Sequence, residues 1–168
     1  YALYKANDMF KGAENHIAGM KTHDNNSTII NCQSIIKFSK TQKAKAKAIL
    51  KSFGINKDFV AIHARDNAFN ARLVESYKED LYSKERNTDI QGYFKSAKWL
   101  AKHNYNIIRI GSMSEFELDK PCIFDYSFSN LDVESRELLD VYIQSQSKFT
   151  IIGDSGLAGV SRMFRTPM

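Results

Sequence analysis

Three side chains able to carry charge or protons crowd the end of an apolar run. In "DFVAIHARDNAFN", residues 58 to 70, His63, Arg65 and Asp66 follow Phe59, Val60, Ala61 and Ile62. A guanidinium is permanently charged and planar. It can hold phosphate oxygens through paired hydrogen bonds, each worth roughly 1.5 to 3 kcal/mol. Arg65 is therefore a candidate anion binder, set against the plainer alternative of a salt bridge to Asp66 or another acid. His63 can hydrogen-bond or move a proton near neutral pH, although a strand histidine is more often structural. Ala61, His63 and Arg65 alternate, so strand geometry puts them on one face.

A second group lies far along the chain. "GDSGLAG" contains Gly153, Asp154, Ser155, Gly156 and Gly159. Small residues let a ligand approach the backbone, and the free N–H groups of a following helix favour negative charge, with Ser155 able to add a hydroxyl. The alternative is a tight turn that needs glycine for its dihedral angles. Between the two groups stand Arg86 and Asn87, which either face a ligand or cap a helix, and Arg109 at another strand end. Asp125, at a third strand end, could accept hydrogen bonds from a nucleoside or cap its own loop.

Several chemistries have no basis in the sequence. The glycines at 153, 156 and 159 do not form the dinucleotide fingerprint, and there is no P-loop, nucleophile elbow or H-E-x-x-H zinc motif. No two Asp residues stand two apart, so the D-x-D metal motif of many nucleotide-sugar enzymes is missing. No metal site and no cofactor is expected; an anionic ligand would be neutralised by side chains and helix dipole. Cys32 and Cys122 stand alone without zinc or redox spacing, which fits a reducing cytoplasm.

The elements that position these residues follow from periodicity. Ala46, Ile49, Leu50 and Phe53 fall on one helical stripe that stops at Gly54. "FVAIHA" (59 to 64) reads as a buried strand. The spacing of Thr88 and Gln91 predicts a capping box for a helix through about His103, with Ile90, Tyr93, Phe94, Ala97, Leu100 and Ala101 inward and Trp99 on the opposite side. "NIIRIG" (106 to 111), "CIFDY" (122 to 126) and "KFTIIG" (148 to 153) read as strands. A helix with Ser129 and Asp132 as candidate caps would bury Leu131, Leu138, Val141 and Tyr142. The stretch "RLVESYKEDLYSKERN" reads as irregular.

Strands alternating with helices imply crossover units: an α/β domain, a Rossmann-like parallel sheet flanked by helices, over residues 35 to 168. Ligands in such sheets bind beyond the carboxyl ends of the strands. Residues 1 to 34 read as an irregular linker or edge segment.

The 168 residues, 43% hydrophobic, suffice for one core. A chain that opens on Tyr1 and stops at "MFRTPM" is expected to be part of something longer, lacking its last strand and an acceptor domain. The net charge of +5 is local: residues 37 to 51 hold six Lys and no acid, leaving 18 basic against 19 acidic residues elsewhere. That distribution argues against a nucleic-acid partner. Peripheral membrane contact is expected only through regions outside this chain.

Four blocks, "FVAIHARDNAF", "RNTDIQGYFKSAKWLAKHNYNIIRIGS", "IFDYS" and "ELLDVYIQSQSKFTIIGDSGLAGVSRMFRTPM", resemble successive segments of a bacterial glycosyltransferase family associated with surface-polysaccharide loci. The likeness spans roughly residues 35 to 168. The H-x-R strand end is also similar, more distantly, to fucosyltransferase-like enzymes. The resemblance implies the C-terminal, donor-binding half of a GT-B fold and a metal-independent, inverting transfer. The substrates would be a nucleotide-diphosphate sugar, GDP-sugar favoured, and a glycan acceptor. It implies Arg65 on the donor diphosphate, His63 beside it, and the Ser155 and Gly156 turn on phosphate. One departure is visible: the acid that often stands three residues after the Arg is Ala68 here, whereas Asp66 follows immediately. A nucleotide-binding regulatory or degenerate domain without transfer activity is the alternative. A two-domain epimerase would need a carboxylate and His pair that is not identifiable.

Overall fold

The computed structural model describes residues 33–34, 36–68, 87–111, 114, 117–153 and 155–168. The chain divides into two compact units, Tyr1–Gln33 and Ser34–Met168. All elements below belong to the second. The segment "RLVESYKEDLYSKERN", apart from its final Asn87, lies outside the described residues.

Helix α1 (Lys40–Ser52) starts where Ser39 and Gln42 exchange side-chain-to-backbone hydrogen bonds of 3.1 and 2.9 Å. It buries Ala46 and Leu50 and ends at Gly54, whose φ of +76° lies in the left-handed region that glycine reaches without strain. Strand β1 (Phe59–His63) follows. A 3₁₀ turn, Ile90–Tyr93, leads into α2 (Phe94–Lys102). Then come β2 (Asn106–Arg109), β3 (Phe124–Asp125), α3 (Val133–Gln146), β4 (Thr150–Ile152) and α4 (Leu157–Phe164).

The four strands form one parallel sheet in the order β3-β2-β1-β4. Their alternation divides the core. Ala61, Ile108 and Ile110 pack with Ala46 and Leu50 of α1 and Leu139, Tyr142 and Ile143 of α3. Val60, Ile62, Ala64 and Ile107 pack with Ile90, Ala97 and Leu100 on the α2 side. Helices thus flank both faces, a Rossmann-like α/β arrangement.

Two local expectations shift. The cap before α2 is Asp89, whose carboxylate accepts from Gln91 N–H at 2.9 Å; Thr88 instead donates its N–H to the Arg65 carbonyl at 2.9 Å. In α3 the buried apolar positions are Leu139, Tyr142 and Ile143, joined by Ser135, Asp140 and Gln144, with Leu138 and Val141 half-buried, because this helix packs on α1, α4 and β1 together. Asp132 caps α3, accepting from Ser135 N–H at 2.8 Å, while Ser129 donates to the Tyr126 carbonyl.

A buried polar seam joins α3, β4 and α4. Ser161 donates to Gln144 Oε1 at 2.9 Å and Thr150 to Ser161 at 3.2 Å, while Thr166 donates to the Gln144 carbonyl at 2.7 Å. After α4 the chain returns to β4, where the Thr150 N–H donates to the Pro167 carbonyl at 2.8 Å.

Candidate functional site at the carboxyl edge of the sheet

Because all four strands are parallel, their carboxyl ends share one edge. β1 and β4 are direct neighbours, with His63 opposite Ile152. Arg65 stands two residues beyond the end of β1, and Ser155 three beyond the end of β4, so both groups singled out from the sequence emerge at the same edge from adjacent strands. Thr88 spans the gap: its N–H is held by the Arg65 carbonyl, and its hydroxyl oxygen would lie 3.5 Å from a Cβ placed on Gly153. A cleft of about 270 Å³ opens on the β2 side of Arg65, lined by Arg65, Asp66, Asn87, Thr88 and Arg109 with Ile90 as an apolar wall; Gly153, Ser155 and Gly156 do not line it.

Arg109, only 4% exposed, is fixed by its neighbours. Its guanidinium reaches Asp125 at 3.0 Å and Asp66 at 3.5 Å, and it also donates to Ser114. Ser114 in turn donates to Asp66 at 3.0 Å. The second Asp66 oxygen accepts from Ala68 N–H at 3.0 Å. Asp125 takes further hydrogen bonds from the Leu118 N–H and from both the N–H and hydroxyl of Ser127. The carboxylates therefore turn toward Arg109 and the loops around it. Asp125 braces those loops rather than standing open to a nucleoside, and the Arg65–Asp66 salt bridge weighed from the sequence is replaced by Arg109–Asp66.

That exchange leaves Arg65 distinct. Among the described residues it makes no ion pair, and its Nη1 is buried without a hydrogen-bond partner. His63 Nδ1 and Asn87 Oδ1 are likewise buried without one, while Asn87 Nδ2 donates to Asn67 at 2.8 Å. Buried polar atoms are almost always paired in folded proteins, so the unpaired atoms of Arg65 and Asn87, which both line the cleft, call for a partner of another kind. Burial lowers His63 from 6.5 to about 4; the nearby Asp66 charge opposes this and Arg109 adds to it. The imidazole is therefore neutral at pH 7 and offers hydrogen bonds, while Arg65 offers charge.

No family model, curated protein or solved structure matches the chain. What the site can do accordingly rests on its residues and their geometry.

At the β4 side, Ser155 Oγ accepts from Leu157 N–H at 3.2 Å and closes the first turn of α4. Gly156 has φ −57° and ψ −30°, an ordinary helical conformation open to any residue, so the turn itself does not require glycine. Apart from its chain neighbours and the adjoining helix backbone, no described atom lies within 4 Å of where its Cβ would be. Its smallness keeps the start of α4 approachable. Arg86 and Asp154 lie outside the described residues. Among those described, no group of three His, Cys, Asp or Glu side chains is placed to hold a metal ion.

Sequence reasoning missed three participants: Thr88 as the bridge between β1 and β4, Ser114 as the third partner of Arg109, and Asp140. The last is buried on α3, accepts from Gly111 N–H at 2.7 Å and from the Tyr126 hydroxyl, and so ties the turns after β2 and β3 to one helix. Burial first, then the Asp140 charge, raises the Tyr126 hydroxyl well above its ordinary value. A polar residue flanked by Leu139 and Val141 was the available signal for Asp140.

Proposed function

We propose that this chain is the donor-binding half of a glycosyltransferase that takes a nucleotide-diphosphate sugar, a GDP-sugar foremost, at the carboxyl edge of the sheet and passes the sugar to a glycan acceptor. The observation that carries the reading is the parallel pairing of β1 with β4, which brings Arg65 and the Ser155–Gly156 turn to one edge with Thr88 between them. Breaking the bond between the anomeric carbon and the diphosphate leaves the bonding pair on a phosphate oxygen. Arg65 from one side and the N–H groups at the start of α4 from the other would hold that developing charge. Neutral His63 and the Asn87 carbonyl would orient donor oxygens and hydroxyls by hydrogen bonding, a contribution of positioning rather than of charge. Arg109, Asp66 and Asp125 keep the cleft in shape. The sequence lacks the D-x-D pair that would chelate a diphosphate-bound metal, which favours a metal-independent transfer, and the resemblance to fucosyltransferase-like enzymes favours inversion.

Calorimetric titration of GDP, UDP, CDP and ADP against the chain and its Arg65→Ala variant tests this. Losing a charge-assisted phosphate contact should weaken diphosphate binding about tenfold or more. If none of the four binds, or if the substitution leaves binding unchanged, the assignment fails. Binding without sugar transfer by the intact protein would instead identify a nucleotide-binding domain.

A further inference from the structure

Trp99 is the one tryptophan of the chain, and it is 59% exposed on the outer side of α2. It is held there: its ring lies 3.9 Å from that of His103, whose Nδ1–H reaches the Trp99 carbonyl at 2.8 Å. Beside it runs a shallow groove of about 410 Å³ lined by Leu100, Phe149 and Ile151, where α2 leaves the near side of β4 uncovered. Lys95, which also borders the groove, Lys98 and Lys102, all exposed, recur at i, i+3 and i+7, within roughly 60° of one another on the helix. α2 carries no acid. Elsewhere, Lys148 is paired with Asp58 at 3.1 Å and Lys120 sits over the Phe94 ring.

We propose that this side of α2, with Trp99 at its centre, docks the protein on an anionic lipid surface. An indole with an apolar body and a polar N–H suits the boundary between headgroups and acyl chains, and a row of lysines beside it suits the negative headgroups. Protein interfaces favour Arg and are depleted in Lys, whereas the cations of α2 itself are all Lys. Among the described residues no helix is long and apolar enough to cross a membrane; the proposed contact is peripheral and, in place of the expectation from sequence, runs through α2 of this chain. The proposal is independent of the nucleotide reading.

Because the chain has a single tryptophan, its own emission reports the contact. Vesicles mixing phosphatidylglycerol with phosphatidylcholine should shift Trp99 emission to the blue, and added salt should reverse the shift. Replacing Lys95, Lys98 and Lys102 by Gln should weaken vesicle binding about a hundredfold, at about fivefold per lysine. The same loss of charge at Lys40, Lys43 and Lys47, on the opposite face of the sheet, should leave it within about fivefold of the unaltered chain, since screening confines each charge to its own side. Co-sedimentation gives the Trp99→Ser variant a readout free of fluorescence, and it should bind more weakly. Any of four results overturns the proposal: no blue shift on the mixed vesicles, an equal shift on phosphatidylcholine alone, an equal loss in the α1 variant, or a shift that grows with protein concentration without vesicles, which would mark self-association.

Discussion

His63 joins the electrostatics of the site to the stability of the fold. The unfolded chain takes up its proton near 6.5, the folded chain only near 4. Acid therefore favours the unfolded state across that window. Stability from this group is complete above about 6.5, declines as pH falls toward 4, and changes no further below; the span corresponds to at most about 3 kcal/mol. Replacing His63 by Gln should flatten the pH dependence of urea unfolding between those limits. An unchanged slope in the variant would show that the imidazole is not held neutral. At this scale the sequence was partly legible. Arg65 and His63 announce themselves by type and position. The pairing of Arg109 with Asp66, 43 positions away, depends on β2 lying beside β1, and no local pattern in the sequence encodes that.

Helix α1 places its charges against its own dipole. Its first turn holds no acid but begins with Lys40 and continues to Lys43, close to the positive end of the helix. Lys45 alone of its lysines has an acidic partner among the described residues, Glu134 at 3.3 Å. Lys40→Glu should therefore stabilise the fold by roughly 0.3 to 1 kcal/mol and raise the melting temperature by a few degrees. Circular dichroism on heating would check this, and a lower melting point would refute it. Elements were the most legible level, because Ala46 and Leu50, or Ala97 and Leu100, repeat with the period of a helix turned to a core. What escaped was shared packing: α3 meets two helices and the sheet, so its buried side is broader than one stripe and admits Asp140 and Gln144. The Asp89 cap was misplaced by one residue because Thr88 and Asp89 are both good caps, and the choice was decided by the hydrogen bond from Thr88 to Arg65.

At the scale of the molecule, Arg109 links the segments at the carboxyl ends of β1, β2 and β3. Removing it takes the guanidinium from Asp125, an almost fully buried carboxylate that keeps only hydrogen bonds from Leu118 and Ser127 among the described residues. Arg109→Met should cost about 3 to 5 kcal/mol in urea unfolding, and adding Asp125→Asn should restore part of that. Equal costs for the single and double variants would deny the coupling. The fold class was legible because strands and helices alternate; the order β3-β2-β1-β4 was not, since several orders satisfy the same alternation. The position of Arg109 also guards assembly. Were β2 to slip by one residue against β1, its side chains would change faces, and the guanidinium would leave Asp66 and Asp125 for the layer between Ala46, Leu50 and Leu139, where Asp140 is already engaged by Gly111 and Tyr126. Misaligned intermediates thus carry a heavy electrostatic penalty, and one arginine serves as a proofreading device while the sheet forms.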